Sequence, residues 1–336
     1  MKALVTGGAG FIGSHVAEEL LKSGFQVVVL DDLSGGFRDN VPHKAVFVEG
    51  SVSDHKLIDG LFNKERFDYV YHLAAYAAEG LSHFIRRFNY SNNLIGSINL
   101  INASVVNEIK CFVFTSSIAV YGENQLPMRE DMYPMPEDPY GIAKYAVERD
   151  LAAAHDMFGL NYIVFRPHNV YGERQNIGDK YRNVLGIFMN NIMNRKPMTV
   201  FGDGGQTRAF SYIGDVAPVI ARSVEIPETW NQVYNTGADE CHSVKELAEI
   251  IAEAFCVEPH IELLPERMEV KHAYASHEKI RHMEQLLQVT QKTSLRDGVR
   301  RMAKWAVVHG PRQSKTFSDI EVEKNLPTTW MIKNTG

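Results

Sequence analysis

Three side chains near the middle of the 336-residue chain are spaced for a proton transfer. Ser117 closes the run Thr115-Ser116-Ser117, and Tyr140 and Lys144 stand four apart in P-Y-G-I-A-K. Residues four apart share one face of a helix, so the phenol and the ammonium would lie side by side. A tyrosine ordinarily titrates near ~10 and is a poor base at neutral pH. A neighbouring ammonium stabilises the phenolate and would pull that value down. The phenolate can then take a proton from an alcohol while hydride leaves the same carbon, with the Ser117 hydroxyl orienting the oxygen. Alone, Y-x-x-x-K is a common helix-surface pair. Its meaning depends on whether the chain also supplies a hydride acceptor.

The N-terminus supplies a place for one. Ala3 to Val5 is a short apolar run, followed by T-G-G-A-G-F-I-G and apolar residues at helical spacing (Ile12, Val16, Leu20). Strand, glycine turn and helix in that order form a dinucleotide site. Gly7, Gly10 and Gly13 let the backbone turn tightly, approach a pyrophosphate and pack the helix on its strand. The first-turn N–H groups of the helix then face the phosphates. A second strand, Gln26 to Leu30, ends at Asp31 and Asp32. An acid about twenty residues past the turn accepts hydrogen bonds from a ribose diol and repels a 2′-phosphate, so NAD is expected over NADP.

Further apolar runs predict strands at Ala45–Val48, Tyr69–Leu73, Cys111–Thr115 and Asn161–Phe165, with one long helix over 82–107 between the second and third of these. Ala74 and Ala75, after His72-Leu73, would let backbone approach a ligand. The alternation predicts an α/β, doubly wound parallel sheet of Rossmann type with a smaller C-terminal α/β substrate domain. The expected division is a cofactor domain over 1–167, with 205–236 returning to it, a substrate lid over 168–310, and a tail over 311–336 in which Trp330 is the expected anchor. A net charge of −6 and 45% hydrophobic residues fit a globular protein without a nucleic-acid surface. Cys111, Cys241 and Cys256 are too few and scattered for a disulfide framework or a zinc site, and no metal is expected. Cys111 and Cys256 are read as small core residues. No apolar run is long enough to span a membrane and the N-terminus enters a strand at once, so the expected location is cytoplasmic.

With these motifs the chain resembles the extended short-chain dehydrogenase/reductases, in the nucleotide-sugar epimerase/dehydratase family, and within it UDP-glucose 4-epimerases. The resemblance rests on T-G-G-A-G-F-I-G, L-D-D-L, H-L-A-A, S-S-I-A-V-Y-G, P-Y-G-I-A-K, R-P-H-N-V-Y-G and F-G-D-G-G-Q-T-R-A-F-S-Y-I-G-D-V-A. It implies NAD as cofactor, a UDP-sugar as favoured substrate, and 4-epimerisation through a 4-keto sugar. Alternatives on the same scaffold are a UDP-glucuronate epimerase or decarboxylase. Tyr140 matches the catalytic base, Lys144 its partner, and Ser117 the substrate-positioning hydroxyl. Asp31 matches the ribose-binding acid and Asn92 an asparagine beside the cofactor. Phe11, Ile12, Asp32, Ser51, Val52, Leu73 and Thr115 complete the expected cofactor wall. Asn169 and Arg208 match contacts to the substrate's diphosphate and sugar, and a guanidinium fork suits two phosphate oxygens. Arg267 is the candidate for a second arginine. A homodimer through two helices is implied, for which Leu94–Val105 and Ile142–Leu151 carry suitable apolar residues.

Departures from the family pattern narrow the expectation. Ser51 replaces an acid that meets the adenine amine, Ser276 replaces another, and Ile118-Ala119 stand where the dehydratase branch carries Asp-Glu. R-P-H-N-V-Y-G and Y-A-A-E-G are also similar to GDP-mannose 3,5-epimerases, but the cysteine of that branch is absent, with Val120 and Tyr121 at its place. A non-catalytic NAD-binding regulator would have lost Ser117, Tyr140 or Lys144. Glu79 and Arg86-Arg87 are charged residues near the expected sugar pocket with no assigned role.

Overall fold

The computed structural model describes residues 1–123, 126–266, 271–313, 317–327 and 330. The N-terminal half runs β1 (Lys2–Thr6), α1 (Phe11–Lys22), β2 (Gln26–Asp31), β3 (Val46–Glu49), α2 (His55–Glu65), β4 (Tyr69–His72), α3 (Glu79–Ser82), α4 (Arg86–Tyr90), α5 (Gly96–Val106), β5 (Cys111–Thr115), α6 (Pro139–Phe158) and β6 (Tyr162–Pro167). The remainder adds β7 (Val170–Tyr171), α7 (Val184–Met193), β8 (Met198–Phe201), β9 (Thr207–Ala209), β10 (Ser211–Tyr212), α8 (Ile213–Arg222), β11 (Gln232–Thr236), β12 (Cys241–Ser243), α9 (Val244–Ala254), β13 (Ile261–Leu264), β14 (His272–Ala273), α10 (Glu278–Leu286) and α11 (Leu295–His309).

Seven strands form one sheet in the order β11-β6-β5-β4-β1-β2-β3, and all its pairings are parallel. Strands buried on both faces read as continuous apolar runs, and β4 and β5 are buried at every residue. One apolar layer joins α1 and α8 to the sheet; the other packs α2, α5 and α6 on its opposite face. Strand order reverses between β1 and β4, and ligands bind at such a switch point beyond the carboxyl ends of the strands. The segment after β6 returns to the sheet as β11 and otherwise builds small sheets, among them β12-β9-β14 and β13-β8.

Several boundaries differ from the sequence expectation. The helix expected over 82–107 is present but starts later, at Arg86, and runs without a gap through α4, a π-helical turn over Ser91–Ile95 and α5 to Val106, with α3 a separate short turn before it. Polar anchoring accompanies the π-helical turn. Buried Asn93 accepts the Tyr76 N–H at 2.8 Å and donates to the Tyr76 carbonyl and Asn89, tying the helix to the loop after β4. β3 starts at Val46, β4 stops at His72, and β6 spans Tyr162–Pro167. Cys111 is buried as expected, but Cys256 is exposed, because it follows the end of α9 in a positive-φ turn.

Candidate active site

The carboxyl ends of the strands open into a cavity of about 1710 Å³, larger than one small-molecule site. On its cofactor side β1 turns into α1. Gly7 has φ +70°, and a Cβ there would sit 2.7 Å from Ala74 backbone, while a Cβ at Gly13 would collide with the Gly7 carbonyl. A side chain at either position would therefore force the turn apart. α1 starts at Gly10 with no side-chain cap and no acid in its first turn, so its N–H groups and dipole are available to a phosphate. Asp31 closes this side, its carboxylate accepting the Ala9 N–H at 3.0 Å and the Leu33 N–H at 2.8 Å. Burial raises its pKa against those two bonds. These features fit a dinucleotide.

Of the expected cofactor residues, Gly7, Gly10, Phe11, Ile12, Gly13, Asp31, Asp32, Val52, Leu73, Ala74, Ala75, Asn92 and Thr115 line the cavity. Ser51 does not. Its hydroxyl accepts the Ser53 N–H at 3.2 Å, closing a local turn, and Gly50 and Val52 form the wall there. A serine so close to the chain prefers this short-range bond.

The catalytic candidates converge on the same cavity. Asp138 caps α6 by accepting the Gly141 N–H, with Pro139 at the first helical position. That start places Tyr140 and Lys144 on the buried face of α6. Ser117, just past β5, lines the same cavity as Tyr140, and its hydroxyl accepts the Ala119 N–H at 3.1 Å. The Lys144 ammonium donates to the Thr115 carbonyl at 2.8 Å and lies 5.9 Å from the Tyr140 ring centroid.

The electrostatics correct one expectation. Tyr140 is not lowered but raised, first by burial and then by the negative charge of Glu79, with the nearby Ser117 hydroxyl opposing. The protein alone thus favours a neutral phenol. Lys144 is drawn down from 10.5 to about 7 by burial, with Glu148 opposing. Between those pH values the unfolded chain holds a proton that the folded one has released. Lys144 therefore costs stability at neutral pH, and the cost fades as pH rises. Wild-type stability relative to Lys144→Met is expected to climb by about 1.4 kcal/mol per unit from about pH 7 to 10. Urea unfolding across that range checks it, and a pH-independent difference would contradict it.

Asn169 and Arg208 line the cavity, Arg208 from β9 of the small β12-β9-β14 sheet. Asn169, at φ +26°, donates to the Ala209 carbonyl at 3.2 Å. Arg208 is aimed by bonds from its Nη1 to the Thr207 and Lys271 carbonyls, at 2.9 and 2.8 Å. Arg267 lies outside the described residues. His72 bridges Thr6 and Ser97 inside the core, and His168 is fully buried, so neither reaches a ligand. No cluster of metal-binding side chains occurs among the described residues, and no helix among them is long and apolar enough to cross a membrane.

Sequence reasoning missed Tyr76 and Arg182. Both line the cavity, with the guanidinium 4.9 Å above the Tyr76 ring and ion-paired to Asp179 at 2.5 Å. Tyr76 opens the Y-A-A-E-G segment, which gave it no role at the site, Arg182 sits in no motif, and only the fold brings the two together. Glu79 also lines the cavity, whereas Arg87 points outward and pairs with Glu321.

A model of the NAD dependent epimerase/dehydratase family matches residues 3–237. The chain is 34% identical over 264 residues to UDP-glucose 4-epimerase of Lactobacillus helveticus, covering 74% of this chain and 80% of that protein. UDP-glucose 4-epimerase of Thermotoga maritima, solved with UDP-glucose, matches with a TM-score of 0.86 and 34% identity, over 91% of this chain and 98% of that one. UDP-glucuronic acid 4-epimerase of Bacillus cereus, solved with UDP-glucuronic acid and NAD, matches with a TM-score of 0.82 and 28% identity over the same shares. A cofactor cradle, a Ser-Tyr-Lys cluster and a family match spanning both have one common explanation: the chain belongs to the NAD dependent epimerase/dehydratase family.

Proposed function

We propose that the protein is an NAD-dependent 4-epimerase of a nucleotide sugar, with a UDP-hexose such as UDP-glucose as substrate. The observation that carries this reading is that Ser117, Tyr140 and Lys144 line one cavity with the glycine cradle and Arg208. NAD, held by the glycine cradle and Asp31, would supply the hydride acceptor and, once reduced, the donor.

The chain's own residues do the rest. Ser117 holds the sugar O4 against the phenol, and Tyr140 takes the O4 proton as the alcohol becomes a ketone. Lys144, anchored on the Thr115 carbonyl, stabilises the phenolate. On return Tyr140 gives the proton back, leaving no net redox change. Asn169 and Arg208 hold the substrate diphosphate on the lid side, and Arg267 remains an added candidate there. Ile118 and Ala119 follow Ser117 without a carboxylate, which argues against water elimination.

The same reading includes a cytoplasmic homodimer. Its support is the apolar exposure of Ile95, Val106, Ile142, Met157 and Phe158 on the π-helical turn, α5 and α6 and the three unpaired cysteines. The test is to incubate purified protein, without added NAD, with UDP-glucose, UDP-glucuronate and UDP-N-acetylglucosamine. A C4 epimer of unchanged mass from one of them is expected. Carbon dioxide loss would make the protein a decarboxylase, and unchanged substrates beside bound NAD would overturn catalysis.

A further inference from the structure

The chain end makes an unusual set of contacts with the catalytic half. Glu321 accepts the Arg87 and Phe88 N–H groups at 2.8 and 3.0 Å, at the start of α4. The backbone N–H groups of Glu321 and Val322 both donate to the Phe84 carbonyl. Phe317 packs edge-on against Phe88 and meets Tyr76, and its N–H donates to the Tyr181 hydroxyl at 3.3 Å. Trp330 stands between Phe84 and Tyr181, with ring centroids 6.2 and 5.4 Å away. Leu326 and Trp330 are both buried. The segment thus bridges α3 and α4, on the sheet side, to Tyr181, on the lid side.

This end also forms part of the cavity wall, through Val322, Lys324, Asn325, Pro327 and Trp330. It meets the wall at a sensitive place. A Cβ at Gly80 would lie 3.1 Å from the Trp330 ring, and the neighbouring Glu79 is the residue whose charge raises Tyr140. Two residues on, the Ser82 hydroxyl accepts the Tyr140 N–H at 3.3 Å. Trp330 therefore packs on the short helix α3 that holds the first turn of α6.

We infer that residues 317–327 and Trp330 are a substrate-binding strap that completes the sugar end of the cavity and sets affinity for the sugar rather than for the nucleotide. The inference rests on the reading that a nucleotide sugar occupies this cavity. Arg208 belongs to the separate β12-β9-β14 sheet, so the diphosphate contact survives loss of the strap. Val322, Pro327 and Trp330 present apolar surface to the sugar face, and Lys324 and Asn325 add polar groups at the mouth.

The test compares wild type with Trp330→Ala and with a chain ended after Arg312, all purified with bound NAD. Calorimetry with UDP-glucose and with UDP needs no turnover, so failure of epimerase activity stays distinct from failure of the strap. The expected result for Trp330→Ala is a roughly tenfold weaker UDP-glucose affinity, with UDP affinity and NAD content within about twofold of wild type. The shortened chain is expected to show the larger loss. If it does not fold, Trp330→Ala alone decides. Unchanged UDP-glucose affinity, or equal losses for UDP and UDP-glucose, would overturn the strap.

Discussion

Tyr140→Phe is expected to lower turnover of the nucleotide sugar by about a hundred- to ten-thousand-fold, the range for loss of a positioned acid–base group. Its fold and NAD content should remain those of wild type. The ring sits on the buried face of α6, so removing one oxygen leaves the packing in place. The loss should fall on kcat more than on KM, because the proton transfer is made in the transition state and the diphosphate contacts lie elsewhere. Steady-state kinetics with a matched thermal melt measure this. Equal activity in the variant would remove Tyr140 from the chemistry, and a collapsed melt would make its role structural.

Glu148→Gln is expected to destabilise the fold by about 3–5 kcal/mol, the cost of leaving one member of a buried ion pair uncompensated. Glu148 lies one turn beyond Lys144 on α6 and receives Arg166 of β6 through two bonds, at 3.0 and 2.5 Å. Both side chains are only 4% exposed, and the Arg166 guanidinium also lies 4.7 Å over the Tyr121 ring. The uncompensated charge is therefore held in place and cannot swing to water. Urea unfolding measures the loss, and Glu148→Gln with Arg166→Met together should recover part of it. A single variant as stable as wild type would mean that the pair is dispensable.

The parallel sheet and the cofactor end were legible because the signals are local. Each strand is a continuous apolar run, and the glycine turn, Asp31 and the Asp138-Pro139 helix start act over a few residues. The π-helical turn within the helix expected over 82–107 was not, because it goes with Asn93 meeting Tyr76, a loop contact that apolar periodicity does not encode. Ser51 was misplaced for a similar reason: a local turn took its hydroxyl. For Tyr140 the spacing to Lys144 was read correctly, but burial and Glu79 reverse the expected direction of its pKa in the protein alone. Trp330 was legible as the anchor of the tail, but what it anchors to was not, since Phe84, Tyr181 and Gly80 lie more than a hundred residues away.

The central claim is that hydrogen leaves C4 of the sugar as hydride and returns to the same carbon inside one cavity, with Tyr140 moving only the hydroxyl proton. The direct measurement is epimerisation of a UDP-hexose carrying deuterium at C4, in ordinary water without added NAD, followed by mass and proton spectra of the product. The account predicts a C4 epimer that keeps its deuterium at C4. Product in which the label has exchanged with water would contradict it, because the carbon would then have lost a proton instead of a hydride.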